Sequence, residues 1–432
     1  MKKPVTVLLL ALSYYQLTFA QQGKVPVLQE AKPETVGMSA DRLQRIDRVL
    51  QEYTSKNLVP GAIAYVVRDG KVVYNKAFGV DDAAAKTSLQ RDAIVRIASQ
   101  TKAITSVGVM MLYEEGRFLL DDPISKYIPA FANQKVLASF NEKDSSYTTV
   151  PAKRQVTIRQ LLTHTSGIGY AVIGSKQMKA IYAKAHVPSG IGTPGGSLAT
   201  AMNTLGTLPL EHQPGERFTY GLNVDVLGYL IEVLSGQSLD VFLRQRLFEP
   251  LGMKDTYFYL PAAKQARLAT LYTEDATRHT IKMGMRDGMS PDYPKTQGTY
   301  FSGGAGLSST IQDYAIFLQM MLNGGEYNGR RVLSPTTVRL MTINQIGDVD
   351  QGAGNKFGLG FSLTTAKTTG KLGESEGTFG WGGIFGTTYW VDPKEGIVAL
   401  LYTQKYPNSY GDLQDKFRVL IYQALTSSRV AH

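Results

Sequence analysis

The stretch from Arg96 to Gly116, RIASQTKAITSVGVMMLYEEG, constrains the fold more than any other. Ala103, Ile104, Val107, Met110, Met111 and Leu112 make a run that is apolar on most sides at helical spacing. A helix built from it has to be buried over most of its circumference. Gly116, just past Glu115, is a fitting stop, because glycine takes the left-handed conformation that ends many helices. Ser99 and Lys102 stand three residues apart at the first turn, so their side chains share one face. A hydroxyl and an ammonium at the mouth of a buried helix are poor core material but suit nucleophile chemistry. A serine becomes a good nucleophile only beside a group that helps it lose its proton, and helix N-terminal amides add positive potential there. S-x-x-K also recurs by chance, and alone it reads first as a capping serine beside a solvated lysine.

The 432 residues allow two or three domains, or one large domain with an inserted lobe, and 43% hydrophobic residues are ample for a core. MKKPVTVLLLALSYYQLTFA has two lysines, an apolar middle and Thr18-Phe19-Ala20 before Gln21. It reads as a secretory leader over residues 1–20, cut after Ala20. The apolar middle is too short to favour a span and no later stretch approaches membrane length, so no membrane insertion is expected after cleavage. The sequence has no cysteine, which excludes an N-terminal lipid anchor on cysteine, disulfides and a thiol nucleophile. Export without disulfides suits a bacterial periplasm or secretion. Loss of Lys2 and Lys3 takes the formal charge from +10 to +8. The remaining cations are dispersed, the mark of a solvated basic surface and not of a nucleic-acid footprint.

Ser39 to Leu58 places Leu43, Ile46, Val49 and Leu50 at helical spacing behind a serine cap and predicts a surface helix. AIAYVVRDGKVVYNKAFG follows, two β-rich runs around Asp69-Gly70, a strong hairpin signal. From about Leu119 to Met321 the segments TIRQLLTHTSG, DVLGYLIEVLSG, SLDVFLRQRLFEPLG and TIQDYAIFLQMMLNGG all show helical spacing with glycine near the end. After Gly325 strands return as KFGLGFSL, TFGWGGIFGTTYWV and GIVALLYTQ, with DPKEG as the last turn, and DLQDKFRVLIYQAL closes the chain as an amphipathic helix. Asn141 to Lys153 and the glycine-rich Val187 to Gly196 read as surface loops, the second as a rim. The expected fold is α+β: an antiparallel five-stranded sheet flanked by terminal helices, with an inserted mainly helical lobe. Residues 21–98 and 325–432 would form the sheet domain and 99–324 the helical one, with the active site between them.

Several blocks then carry a resemblance. They are Ser99-Gln100-Thr101-Lys102, LLTHTSGI from Leu161, PGERFTYGLNVDVLGYLIE from Pro214, SGGAGLSSTIQDYAIFLQMMLNGG from Ser302 and GTFGWGGIFGTTYWVDPKEG from Gly377. In this order the chain resembles the serine β-lactamase and penicillin-binding superfamily, and within it the class C β-lactamases and the family VIII carboxylesterases. The resemblance covers nearly all of the chain after the leader and implies a β-lactamase/transpeptidase-like fold.

The resemblance implies that Tyr220 faces Ser99 and works with Lys102 in moving the proton. The β-lactamase pattern has an asparagine two positions after this tyrosine; here Leu222 stands there, with Asn223, read as a helix-start residue, one place later. The edge strand carries Trp381-Gly382-Gly383 where β-lactamases and D,D-peptidases have K-T-G, a form similar to the esterases. The resemblance makes Trp381, Gly382, Gly383 and Leu222 substrate contacts, and the amides of Ser99 and Ile384 the oxyanion donors, a device that supplies several kcal/mol in acyl transfer. The glycines would let a substrate approach the strand closely. Lys367-Thr368-Thr369-Gly370 is the competing K-T-G, one residue too long and in a loop. By position alone Tyr170 would cover the cleft, and Met283, Met285 and Met289 would line an acyl pocket or fill gaps.

The five histidines include no metal-spaced pair and there is no H-E-x-x-H, so no metal or cofactor is expected. His164 in THTSG is read as ordering a loop, and G-x-S-x-G is absent. The expected activity is acyl transfer through a covalent serine intermediate on a small-molecule ester or amide, by a monomer or weak homo-oligomer with no nucleic-acid partner. An esterase of small or medium acyl esters is favoured by Trp381 and Leu222. A β-lactamase or D,D-peptidase is the alternative, and a non-catalytic penicillin-binding sensor the third.

Overall fold

The computed structural model describes residues 27–193, 195–286 and 288–429. The leader expected over residues 1–20 lies outside the described residues. Asp69 and Gly70 both take positive φ, 53° and 72°, and turn the strand Gly61–Arg68 into Lys71–Asp82. Asparagine-like and glycine residues make such hairpins because they tolerate this conformation.

From that hairpin the sheet grows outward. Its order is Gln29–Glu30, Lys71–Asp82, Gly61–Arg68, Ile397–Tyr402, Thr387–Asp392, Phe379–Gly383, Ser362–Leu363 and Lys356–Phe357, with Thr87–Ser88 paired to Lys71–Asp82. All pairs are antiparallel except the first, which is parallel. The sheet therefore has nine strands and is mixed, not five and antiparallel. Two local causes account for two of the four extra strands, and the short strands Gln29–Glu30 and Thr87–Ser88 are the others. TFGWGGIFGTTYWV is itself a hairpin, broken where Gly386 takes φ +84° and donates to Gly383. KFGLGFSL folds back on itself at Gly358 to Gly360, leaving two short edge strands. A further two-stranded ribbon, Lys135–Phe140 with Tyr147–Pro151, occupies the first expected loop.

Successive side chains of a strand point to opposite faces, and Gly61–Arg68 divides the core accordingly. Ala62, Ala64 and Val66 meet Leu43, Ile46 and Leu50 of helix Ala40–Ser55 and Phe417 of helix Asp412–Gln423. Ile63, Tyr65 and Val67 belong to the larger core that includes Thr101–Glu114 and Ile311–Leu322. Each large side chain so buried is worth roughly 1.5–3 kcal/mol.

Helix Thr101–Glu114 is buried from Thr101 to Leu112, as its apolar circumference requires, and Gly116 follows it at φ +71°. Gly108 explains how closely its neighbours approach: a Cβ there would stand 3.1 Å from both Ile231 and Leu243. The segment between the two parts of the sheet carries the helices Ile158–Leu162, Asn223–Ser235, Leu239–Leu243 and Ile311–Leu322 among irregular stretches and short two-stranded ribbons. Among the described residues no single helix is long and apolar enough to cross a membrane.

Candidate active site

The turn that carries Ser99 is held from four sides. Ala98 takes φ +44°, a left-handed conformation that costs a non-glycine residue energy and needs surrounding structure to impose it. Thr101 Oγ1 donates to Ala98 O at 2.6 Å and accepts from Leu307 N at 3.1 Å. Tyr402 Oη donates to Gln100 Oε1 and Tyr314 Oη to Gln100 O. Ser99 makes no capping bond; the helix N-cap is Gln100. The serine is free of the structural duty that a capping role would give it.

Lys102 lies one turn on and is 2% exposed. An ammonium has three N–H donors, and all three find acceptors: Gly304 O at 2.8 Å, Tyr170 Oη at 3.3 Å and Ser99 Oγ at 3.4 Å. Its Nζ also stands 4.5 Å from the centroid of the Tyr220 ring. Burial works against its charge, but the phenol oxygens of Tyr170 and Tyr220 and the Asp225 carboxylate outweigh burial and push the lysine up. Tyr170 is fully buried, which pushes its phenol up against the opposing pull of Lys102.

Tyr170 is thus a second phenol on the lysine and not a cover over the cleft; the exposed residues beyond it, Val172 and Ile173, form the lip. Leu222 is corrected as well. It is fully buried in the core and its amide donates to Gly169 O, so it offers a substrate no surface. Asn223 begins helix Asn223–Ser235, and its amide is spent on Ser166, His164 and Ile168. His164, at φ +56° and wholly buried, is held neutral by burial and by Lys102, and its ring packs 4.9 Å from that of Tyr220. It shapes the wall behind Tyr220.

Strand Phe379–Gly383 closes the other side. Trp381 is half-buried, sets its ring 5.5 Å from that of Tyr220, and gives its indole N–H to Tyr220 Oη. Gly383 answers a need of the protein itself: a Cβ would stand 2.4 Å from Ile97 O. The bare backbone lets the strand lie against the Ser99 turn, and Ile384 follows with its side chain against Ala98. The strand and the turn that carries Ser99 are thus in direct contact. Lys367 is exposed on the loop leading to this strand.

At Ile384 opens a cavity of about 140 Å³, lined by the apolar Val172, Ile173, Ile191, Met283, Met289 and Phe385 and by Ser189, Arg286 and Tyr406. Met283 and Met289 line it; Met285 is exposed. No cluster of potential metal ligands occurs among the described residues.

A serine and a lysine on one helical turn, facing a glycine-bearing strand that is not the expected edge but an inner strand paired with Ser362–Leu363 and Thr387–Asp392, define a serine hydrolase of the β-lactamase fold. The Beta-lactamase family model matches residues 46–423, and the chain belongs to that family. Protein Rv1367c of Mycobacterium tuberculosis is 36% identical over 374 residues, 83% of this chain and 89% of that protein. Esterase EstB of Burkholderia gladioli is 28% identical over 401 residues, covering 89% and 96%. Among solved structures EstCE1, described as a hydrolase with promiscuous acyltransferase activity, superposes with a TM-score of 0.76 at 25% identity, covering 88% and 99%.

Proposed function

We propose that this chain is an exported carboxylesterase of small to medium apolar acyl esters, acting through an acyl-enzyme on Ser99. Ser99 Oγ attacks the ester carbonyl, its proton passes through Lys102 and Tyr220 to the departing alcohol, and water then releases the acyl group. The amides of Ser99 and Ile384 receive the negative charge that develops on the carbonyl oxygen. The observation that carries the esterase reading is Trp381 in the strand beside the serine. Its indole presents an apolar face and no cation, it spends its N–H on Tyr220, and the cavity at Ile384 is walled mostly by aliphatic, thioether and aromatic groups. The resemblance to EstB points the same way. A lactam or D,D-peptide reading would need a cation for the substrate carboxylate, and the guanidinium that lines the cavity, Arg286, is already engaged with Thr273 Oγ1 and the Tyr406 ring. The export signal read in residues 1–20 suits either substrate.

Paired assays with p-nitrophenyl butyrate and a chromogenic cephalosporin on one preparation decide between them. The ester is expected to have the higher kcat/KM by orders of magnitude. Ser99→Ala is expected to abolish both turnover and labelling by an organophosphonate while the fold persists, since a small hydroxyl at a cleft contributes little packing. Labelling that survives the substitution refutes Ser99 as the nucleophile, and preferred turnover of the cephalosporin refutes the esterase reading.

A further inference from the structure

Behind Lys102 the structure buries a carboxylate that the proposed acyl transfer does not use. Asp225 sits in the first turn of helix Asn223–Ser235 and is fully buried. Its Oδ1 accepts from Ser302 Oγ at 2.6 Å and from Tyr300 Oη at 3.5 Å. Its Oδ2, equally buried, faces the Gly304 backbone without a well-formed hydrogen bond. A Cβ placed on Gly304 would stand 2.4 Å from that oxygen and 3.5 Å from Lys102 Nζ. The carboxylate and the ammonium thus confront each other across a bare glycine, whose carbonyl also receives the lysine's shortest hydrogen bond.

We propose that Asp225 is a positioning residue for the proton transfer at Ser99: its charge, lodged behind Gly304, keeps the Lys102 ammonium charged and seated beside the serine. The inference rests on the serine-hydrolase reading of Ser99 and Lys102. Other groups face the lysine. They are Ser99 on its own turn, Tyr170 from the loop after helix Ile158–Leu162, Tyr220 ahead of helix Asn223–Ser235, and the His164 imidazole behind Tyr220. Tyr300 stands on the far side of Asp225. The Tyr170 and Tyr220 oxygens support the ammonium most, Ser99 and the neutral imidazole offer only dipoles, and the Asp225 carboxylate adds a full charge, which acts strongly where water is excluded. The dependence is mutual. Burial pushes the Asp225 carboxyl up, while Ser302 and Lys102 oppose it, so each ion is tolerated in the core because of the other. A Cβ on Gly190, which takes φ +81°, would stand 3.0 Å from Ser302 Oγ and 3.4 Å from Asp225 Oδ1.

The test is the rate of Ser99 labelling by a fluorophosphonate across pH 5 to 11, with kcat and KM for p-nitrophenyl butyrate, in the wild type, Asp225→Asn, Gly304→Ala and Ser302→Ala. Removing the charge is expected to move the basic limb of the profile down by about one pH unit and to lower kcat about tenfold with KM nearly unchanged. Gly304→Ala, whose methyl forces the carboxylate away, is expected to shift the limb in the same direction, and it decides the matter if Asp225→Asn does not fold. Ser302→Ala keeps the charge and is expected to leave the limb in place. A wild type that does not label at Ser99 refutes the serine-hydrolase reading. A wild type that labels, beside folded Asp225→Asn or Gly304→Ala protein with an unmoved limb, refutes the role of Asp225 alone. A limb shifted as far by Ser302→Ala as by Asp225→Asn also overturns it, since packing would then suffice.

Discussion

The indole N–H of Trp381 donates to the hydroxyl of Tyr220 across 3.4 Å, with the two rings 5.5 Å apart. The residue that stands where the family pattern has a lysine is thereby tied to the phenol that faces Lys102. Trp381 therefore bears on Tyr220 directly.

From this contact it follows that Trp381→Phe, which keeps an aromatic face and deletes the donor, should lower kcat about fivefold, the worth of a hydrogen bond of about 1 kcal/mol. Tyr220→Phe should lower acylation by roughly 10²-fold, as for loss of a general acid–base group. The double variant should be no slower than Tyr220→Phe alone, because the tryptophan's contribution passes through the missing hydroxyl. Single-turnover kinetics of all four proteins test this, and additive losses would show that the two residues act separately.

A second prediction concerns Gly383. A methyl at this position meets Ile97 O at 2.4 Å, and that oxygen belongs to backbone in the Ser99 turn. Gly383→Ala should destabilise the fold by about 1–3 kcal/mol, the usual cost of overpacking. It should also lower kcat/KM by about 10²-fold, since a displaced turn misplaces the nucleophile. Thermal unfolding and ester kinetics measure both. Wild-type values would mean that the strand and the turn are not in contact.

The third concerns pH and His164. Burial, then the Lys102 charge, holds this imidazole neutral well below 6.5 in the folded chain, whereas the unfolded chain takes up the proton near 6.5. The folded value is depressed, so the stability it represents is present above 6.5 and is lost as pH falls toward the folded value. Over that window the loss is about 1.4 kcal/mol per pH unit. His212, lowered by its own burial, adds in the same direction. His164→Asn should therefore flatten the fall in urea-unfolding free energy between pH 7 and 5 by about one proton, and an unchanged slope would place the histidine in water.

What the sequence determined by itself was local. The buried helix, its stop at Gly116 and the Asp69-Gly70 turn were legible because each depends on residues a few positions apart. The spacing of Ser99 and Lys102 was legible for the same reason: one helical turn puts them on one face. The hairpin inside TFGWGGIFGTTYWV was within reach, through Gly386, but its continuous β-rich text masked the break.

Tertiary structure alone decided which distant segments meet. Tyr170 lies against Lys102 and not over the cleft, Leu222 turns into the core, and Asp225 comes up behind Gly304. No spacing in the chain announces these contacts. They arise because helices Thr101–Glu114 and Asn223–Ser235 pack against each other at Gly108, and because strand Phe379–Gly383 can lie on the Ser99 turn only where Gly383 has no side chain. Close packing of surfaces far apart in sequence is a property of the whole fold. The periodicity of a single segment shows which face is buried, but not which neighbour buries it.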